Sequence, residues 1–306
     1  MQYEVIRLRE VFPVLAGQPV DVLKEMREAY SRAEGLSDGL GAYREPTLTV
    51  YCPDNSDEVD VNCVRPSVII CPGGGYSYVS FREGEPVALA FVAQGYNAFV
   101  LDYTVAPQRY PTALLELAAS MAFIRKQADR FHVDPDAIAV AGFSAGGHLA
   151  ACLGTLWQEP FLADMLELDV QAIRPNALIL SYSVLSSDQF THMDSFDNLL
   201  GKDAEGNQRE QLSLEKRVNP NTPPTFLWHT VTDPVVPVEN ALLFANALRM
   251  KHIPFELHLY SEGGHGLSLC GPETAGTQKQ YINPHCSTWF TLCDQWLRLV
   301  FNGTTL

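Results

Sequence analysis

The chain has 306 residues, 46% of them hydrophobic, and carries a formal net charge of −15 at pH 7. That length and apolar content suffice for one large α/β domain. The negative charge repels phosphate backbones and anionic lipid, which argues against nucleic-acid and membrane-surface partners.

Residues 1–20 mix Arg7, Arg9 and Glu10 with isolated apolar residues and lack the apolar core and cleavage site of a signal peptide. No apolar run is long enough to span a bilayer. The seven cysteines are odd in number and scattered, with Cys71 and Cys152 inside apolar segments. This pattern predicts reduced, mostly buried thiols and a cytoplasmic protein. Cys286 and Cys293 lie too far apart on a helix to share a metal. No metal-binding motif is found, and no cofactor is expected.

In chain order, Tyr3 to Leu8 reads as a first strand, Val22 to Ala33 has helical spacing, and Gly35 to Gly41 reads as a loop. Thr47 to Tyr51 alternates β-branched and aromatic residues, a strand ended by Pro53. An acidic turn follows, Asp54 to Asp60. From Pro66 the elements alternate regularly. Val68 to Cys71 and Ala98 to Leu101 read as strands on either side of a helix, Pro86 to Gln94. Thr112 to Phe131 reads as a long helix, with Leu114, Leu117, Met121 and Ile124 on one face. Strands are expected at Ala137 to Ala141, Ala177 to Leu180, Thr225 to Trp228 and Phe255 to Tyr260. Helices are expected at Leu149 to Leu156, Glu239 to Met250 and His285 to Val300.

This alternation predicts one mostly parallel sheet covered by helices on both faces. There are no repeats and no linker, so the expectation is one domain over 1–306, with residues 1–45 as an N-terminal extension. A polar, acidic insertion, 184–218, interrupts the rhythm. It is either an ordinary surface insertion or a functional one, and it starts at the carboxyl ends of the strands, where it can overhang a site.

Between the strand ending at Ala141 and the next helix runs Gly142 to Gly146, with Ser144 at its centre. A strand that turns into a helix at Gly-x-Ser-x-Gly is a nucleophile elbow. The turn crowds the positions two before and two after the serine, so very small residues are required there. A serine hydroxyl needs a base to take its proton, and the base needs an acid to fix its tautomer. In an elbow enzyme the acid and then the histidine follow the serine.

Asp233 is the acidic residue between the strand at Thr225 and the following helix. Its rival Glu239 falls in that helix's first turn, where it suits the dipole instead. Of the four histidines after Asp233, His252 sits at a helix end, His258 inside the last strand, and His285 at the start of the closing helix. His265 lies just past the last strand, in a glycine-rich loop that can fold its ring over the sheet rim. An oxyanion needs preorganised N–H donors. One is the amide of Ala145, the residue after the nucleophile. The others come from the loop Pro72 to Tyr76, whose three glycines allow close approach.

On these stretches the chain resembles a single-domain α/β-hydrolase of the carboxylesterase/acetyl-esterase group, nearest the branch associated with xylan and sugar-ester deacetylation. The resemblance rests on Cys71 to Tyr76, Asp102 to Pro107, Tyr110 with Pro111, Val140 to Leu149, Asp197 to Gly201, Trp228 to Thr230 with Asp233, and Gly263 to His265. Together they span roughly residues 66–300.

The resemblance implies a triad of Ser144, Asp233 and His265 and oxyanion donors at Gly74, Gly75 and Ala145. It also implies a small-molecule ester substrate, with an acetylated sugar as one candidate. Pro72 stands where lipase-like esterases carry histidine, which sets this chain apart from that branch. Tyr76, Tyr78 and Tyr103, near the expected rim, are candidate stacking surfaces for a sugar, although aromatics near a sheet edge are as often ordinary packing. A serine peptidase of the same fold is one competing reading, although that type usually carries a further large domain. A non-catalytic binding protein is another, although such a chain is expected to lack a triad member.

Overall fold

The computed structural model describes residues 1–16, 45–58 and 60–302. The helix expected at Val22 to Ala33 and the loop at Gly35 to Gly41 lie outside the described residues. Eight strands form one sheet in the order β1-β2-β4-β3-β5-β6-β7-β8. They are β1 Gln2–Arg7, β2 Thr47–Cys52, β3 Arg65–Cys71, β4 Asn97–Asp102, β5 Val133–Phe143, β6 Ala177–Ser181, β7 Thr225–Thr230 and β8 Phe255–Tyr260. β2 runs antiparallel to both β1 and β4, and every other pairing is parallel.

The period of two along each strand divides the core. Ile69, Phe99, Ile138, Val140, Leu178 and Leu227 face one side, against Leu114, Leu117, Leu149 and Leu153 of the helices Thr112–Lys126 and Ala145–Leu156. Val68, Ile70, Ala98, Ala139, Phe143, Phe226 and Trp228 face the other, against Phe91, Trp289 and Trp296 of the helices Glu85–Ala93 and Thr288–Phe301. With helices on both faces, the central parallel strands are fully buried, which is why they read as near-continuous apolar runs. The mostly parallel sheet expected from the alternation is therefore present.

Three helices differ from expectation by more than one residue, and the one expected from Leu149 already begins at Ala145, directly after the serine turn. The long one ends at Lys126, because the Gln127 amide turns back to the carbonyls of Phe123 and Ile124. A separate turn, Ala128–Phe131, follows and closes at His132 in a left-handed conformation, φ 53°. The closing helix begins at Thr288 rather than His285, since Asn283 Oδ1 accepts the amides of His285 and Cys286 in a turn of its own. The insertion carries helices at Met193–Leu200 and Gly206–Gln211. Among the described residues, no helix is long and apolar enough to cross a membrane.

Candidate active site

In a parallel sheet, ligands bind beyond the carboxyl ends of the strands. Four of these ends converge here: the glycine loop after β3, Ser144 after β5, Asp233 after β7 and His265 after β8. Ser144 sits at φ 53°, ψ −119°, a conformation rare for a residue with a side chain. It is pinned there because its amide donates to the Ser181 carbonyl, and its own carbonyl accepts from Val184. The flanking glycines are required by space. A Cβ at Gly142 would lie 2.3 Å from the Gly146 carbonyl oxygen, and one at Gly146 would lie 2.1 Å from that of Cys71.

The site is a chain of short hydrogen bonds. His265 Nε2 stands 2.8 Å from Ser144 Oγ, and His265 Nδ1 stands 2.8 Å from Asp233 Oδ2. The other oxygen of Asp233 accepts the amides of Val235 at 2.8 Å and Val236 at 3.0 Å. Burial alone would push the Asp233 pKa up. The hydrogen bonds and charge of His265, with the two amides, outweigh burial and hold the group below the usual carboxylate range. An ionised carboxylate only accepts, so the proton of the imidazole belongs on Nδ1, leaving Nε2 free to take the Ser144 proton. Glu239, the rival acid, stands in the first turn of the helix Glu239–Met250.

Gly74 and Gly75, at φ 130° and 61°, line the same cleft as Ser144. Neither amide has an acceptor among the described residues. Ala145 is the first residue of its helix, so its N–H belongs to the unpaired donors of a helix start.

The cleft holds about 560 Å³ and is lined largely by polar groups, among them Ser77, Arg82, Glu83, His192, Asp194 and Lys202. The last three come from the insertion, which is therefore part of the wall. His192 Nδ1 lies 2.8 Å from Ser195 Oγ, and burial together with the nearby His265 lowers its pKa.

Of the three tyrosines expected as stacking surfaces, Tyr78 lines the cleft. Tyr76 and Tyr103 correct that expectation. Each is 2% exposed, with its hydroxyl against His148 Nδ1 at 2.9 Å and on the Pro72 carbonyl at 2.7 Å, respectively. They hold the glycine loop from beneath and cannot reach a sugar.

A buried clamp was not visible in the sequence. Glu83 accepts the Gly73 amide at 2.8 Å on one oxygen and the Tyr182 hydroxyl at 2.6 Å on the other. The Tyr182 oxygen in turn accepts the Ser268 amide at 2.9 Å, and its ring meets His265 edge-on at 5.1 Å between centroids. The glycine loop is thus tied to the histidine loop through two side chains. In the sequence nothing sets Glu83 apart from its neighbours.

The sheet order and the position of these residues define the α/β-hydrolase fold. A family model, BD-FAE, matches residues 48–248, and the chain belongs to that family. It is 36% identical over 263 residues to endo-1,4-beta-xylanase B of Butyrivibrio fibrisolvens, covering 85% of this chain and 40% of that protein. It is 28% identical to an acetylxylan esterase of Xylanibacter ruminicola, covering 76% of this chain and 44% of that one. The chain therefore spans less than half the length of these curated relatives. Among solved structures, an acetyl ester-xyloside bifunctional hydrolase from Caldicellulosiruptor lactoaceticus superposes with a TM-score of 0.72 at 36% identity, over 84% of this chain and 89% of that one. A carboxylesterase from Lactobacillus plantarum superposes with a TM-score of 0.74 at 32% identity, over 84% and 93%.

Proposed function

We propose that this chain is a serine carboxylesterase that hydrolyses short-chain acyl esters, acetyl esters first among them, of alcohols or sugars. The observation that carries this reading is the unbroken series Asp233, His265, Ser144 at 2.8 Å steps beside the glycine loop. Ser144 Oγ attacks the ester carbonyl as His265 Nε2 takes its proton, and Asp233 stabilises the resulting imidazolium. The amides of Gly74, Gly75 and Ala145 take the oxyanion of the tetrahedral intermediate. On collapse the alcohol leaves with the proton from His265. Water then enters by the same route and frees the acyl group from Ser144.

The named activities of the relatives and structural neighbours, acetylxylan esterase and carboxylesterase among them, support the reaction class. The polar lining of the cleft supports a small acyl group and a hydroxylated alcohol. We read the chain as one hydrolase domain with 184–218 as a wall of the cleft. The free, mostly buried thiols support a reducing compartment such as the cytoplasm.

Rates on p-nitrophenyl esters from acetate to laurate test the acyl preference. kcat/KM is expected to peak at acetate to butyrate and then fall. A long apolar channel would instead add about 0.8 kcal/mol, roughly fourfold, for each buried methylene. A maximum at octanoate or beyond would overturn the small-acyl reading.

A further inference from the structure

Arg82 lines the cleft with Ser144 and His265 and is held at both ends. Its carbonyl accepts the Ser268 hydroxyl at 2.7 Å, and its guanidinium lies over the Tyr281 ring, 3.8 Å from the centroid. Gly266, which directly follows His265, passes so near that a Cβ there would stand 3.3 Å from Arg82 Nη2. Nη1 is shut off from solvent and has no acceptor among the described residues. A charged donor left in that state is costly, and an in-plane turn of the guanidinium over Tyr281 would bring it into the cleft, where a bound ligand oxygen could relieve it. Glu83, next in the chain, gives its two oxygens to Gly73 and Tyr182.

We infer that Arg82 is a specificity-determining residue for the alcohol half of the ester, its guanidinium donating to an oxygen of a neutral, polyhydroxylated alcohol. The inference rests on the esterase reading. The departing alcohol takes its proton from His265, so this half of the substrate lies on the His265 side, where Arg82 stands beside Gly266. The neutral character follows from the neighbours. Glu83, Asp194 and Asp197 line the same cleft and outnumber its two cations, Arg82 and Lys202, so a carboxylate has no net attraction there. A hydroxyl can accept from the guanidinium and still donate to a carboxylate.

The test compares acetates that differ in the alcohol alone: cyclohexyl acetate, a mono-acetylated methyl xyloside and the corresponding uronate. The wild type should favour the xyloside over both others. Arg82→Met, which keeps the stem over Tyr281, should lower the xyloside-to-cyclohexyl ratio of kcat/KM by about tenfold to a hundredfold, the usual range for a hydrogen bond to a charged group. Arg82→Lys, which restores the charge without the fork, should recover part of the ratio. If Arg82→Met does not fold, the drop in Arg82→Lys carries the same comparison. An unchanged ratio, an equal loss on both esters, or a wild-type preference for the uronate would overturn the inference while leaving the esterase reading intact. A wild type that cleaves none of the three acetates and no p-nitrophenyl acetate would overturn both.

Discussion

The glycine loop Pro72–Tyr76 and the insertion 184–218 both border the cleft, and they differ in how much of each is held by buried bonds. The loop is fastened from below by buried bonds: Gly73 to Glu83, Tyr76 to His148 and Pro72 to Tyr103. The insertion buries Phe196 and Leu199 but shows Met193, Asp194 and Lys202 to solvent. It is tied down by the Arg209–Asp197 ion pair, by the Asn240 amide oxygen accepting the amides of Leu185 and Ser186, and by Asn198 on the Gly75 carbonyl. On the proposed reaction the loop supplies oxyanion donors, which lose effect when misplaced by about 1 Å, so that wall requires redundant buried anchors. Recognition of an alcohol tolerates an exposed, adjustable wall. Substitutions under the loop should therefore cost turnover, and substitutions on the insertion should change selectivity.

The largest effect expected on the chemical side is at Asp233. Asp233→Asn should lower kcat by about 10⁴ through the wrong His265 tautomer, while Glu239→Gln should leave kcat within about threefold, since a first-turn carboxylate contributes only modestly through the helix dipole. Steady-state kinetics on p-nitrophenyl acetate measures both, and a reversed pattern would move the acid to Glu239.

Smaller, and aimed at the loop anchors themselves, is Glu83→Gln. The amide can satisfy Gly73 or Tyr182 but not both as now arranged. kcat should fall about tenfold to a hundredfold with KM nearly constant, the pattern of an interaction realised in the transition state. An equal effect from Asp194→Asn would erase the contrast between the two walls.

His148 bears on stability rather than turnover, and burial pushes its pKa down to about 4. The neutral ring donates from Nε2 to the Leu212 carbonyl and accepts the Tyr76 hydroxyl on Nδ1. Because the unfolded chain binds a proton near pH 6.5 and the folded one does not, stability falls as pH drops through 6.5 and levels off below 4. Denaturant unfolding at pH 7.5 and 4.5 should show the wild type losing about 2–3 kcal/mol more than His148→Gln. Equal losses would remove His148 as an acid-sensitive anchor.

The parts of this molecule that were legible in its sequence are those where backbone geometry restricts residue choice. The elbow demands glycine at 142 and 146, the buried parallel strands demand apolar runs, and the loop after β8 places His265 among glycines. Asp233 could be found by elimination, since its strand-to-helix connection holds no other acid. The clamp was not legible, because Glu83 and Tyr182 meet across 99 residues and neither belongs to a periodic pattern. Tyr76 and Tyr103 misled because a tyrosine beside a glycine loop looks the same whether its ring turns outward or down into the core. The helix Met193–Leu200 has only Phe196, Leu199 and Leu200 as apolar markers of its inner face, too short a pattern to stand out among acidic neighbours.

On the proposed mechanism Ser144 carries the acyl group. Incubation with diethyl p-nitrophenyl phosphate, followed by proteolysis and mass spectrometry, tests it most directly. One diethylphosphoryl adduct per chain is expected on the peptide containing Ser144, rising in step with loss of esterase activity and missing from Ser144→Ala. An adduct on another residue that tracks inactivation, or full turnover by a folded Ser144→Ala protein, would contradict the account.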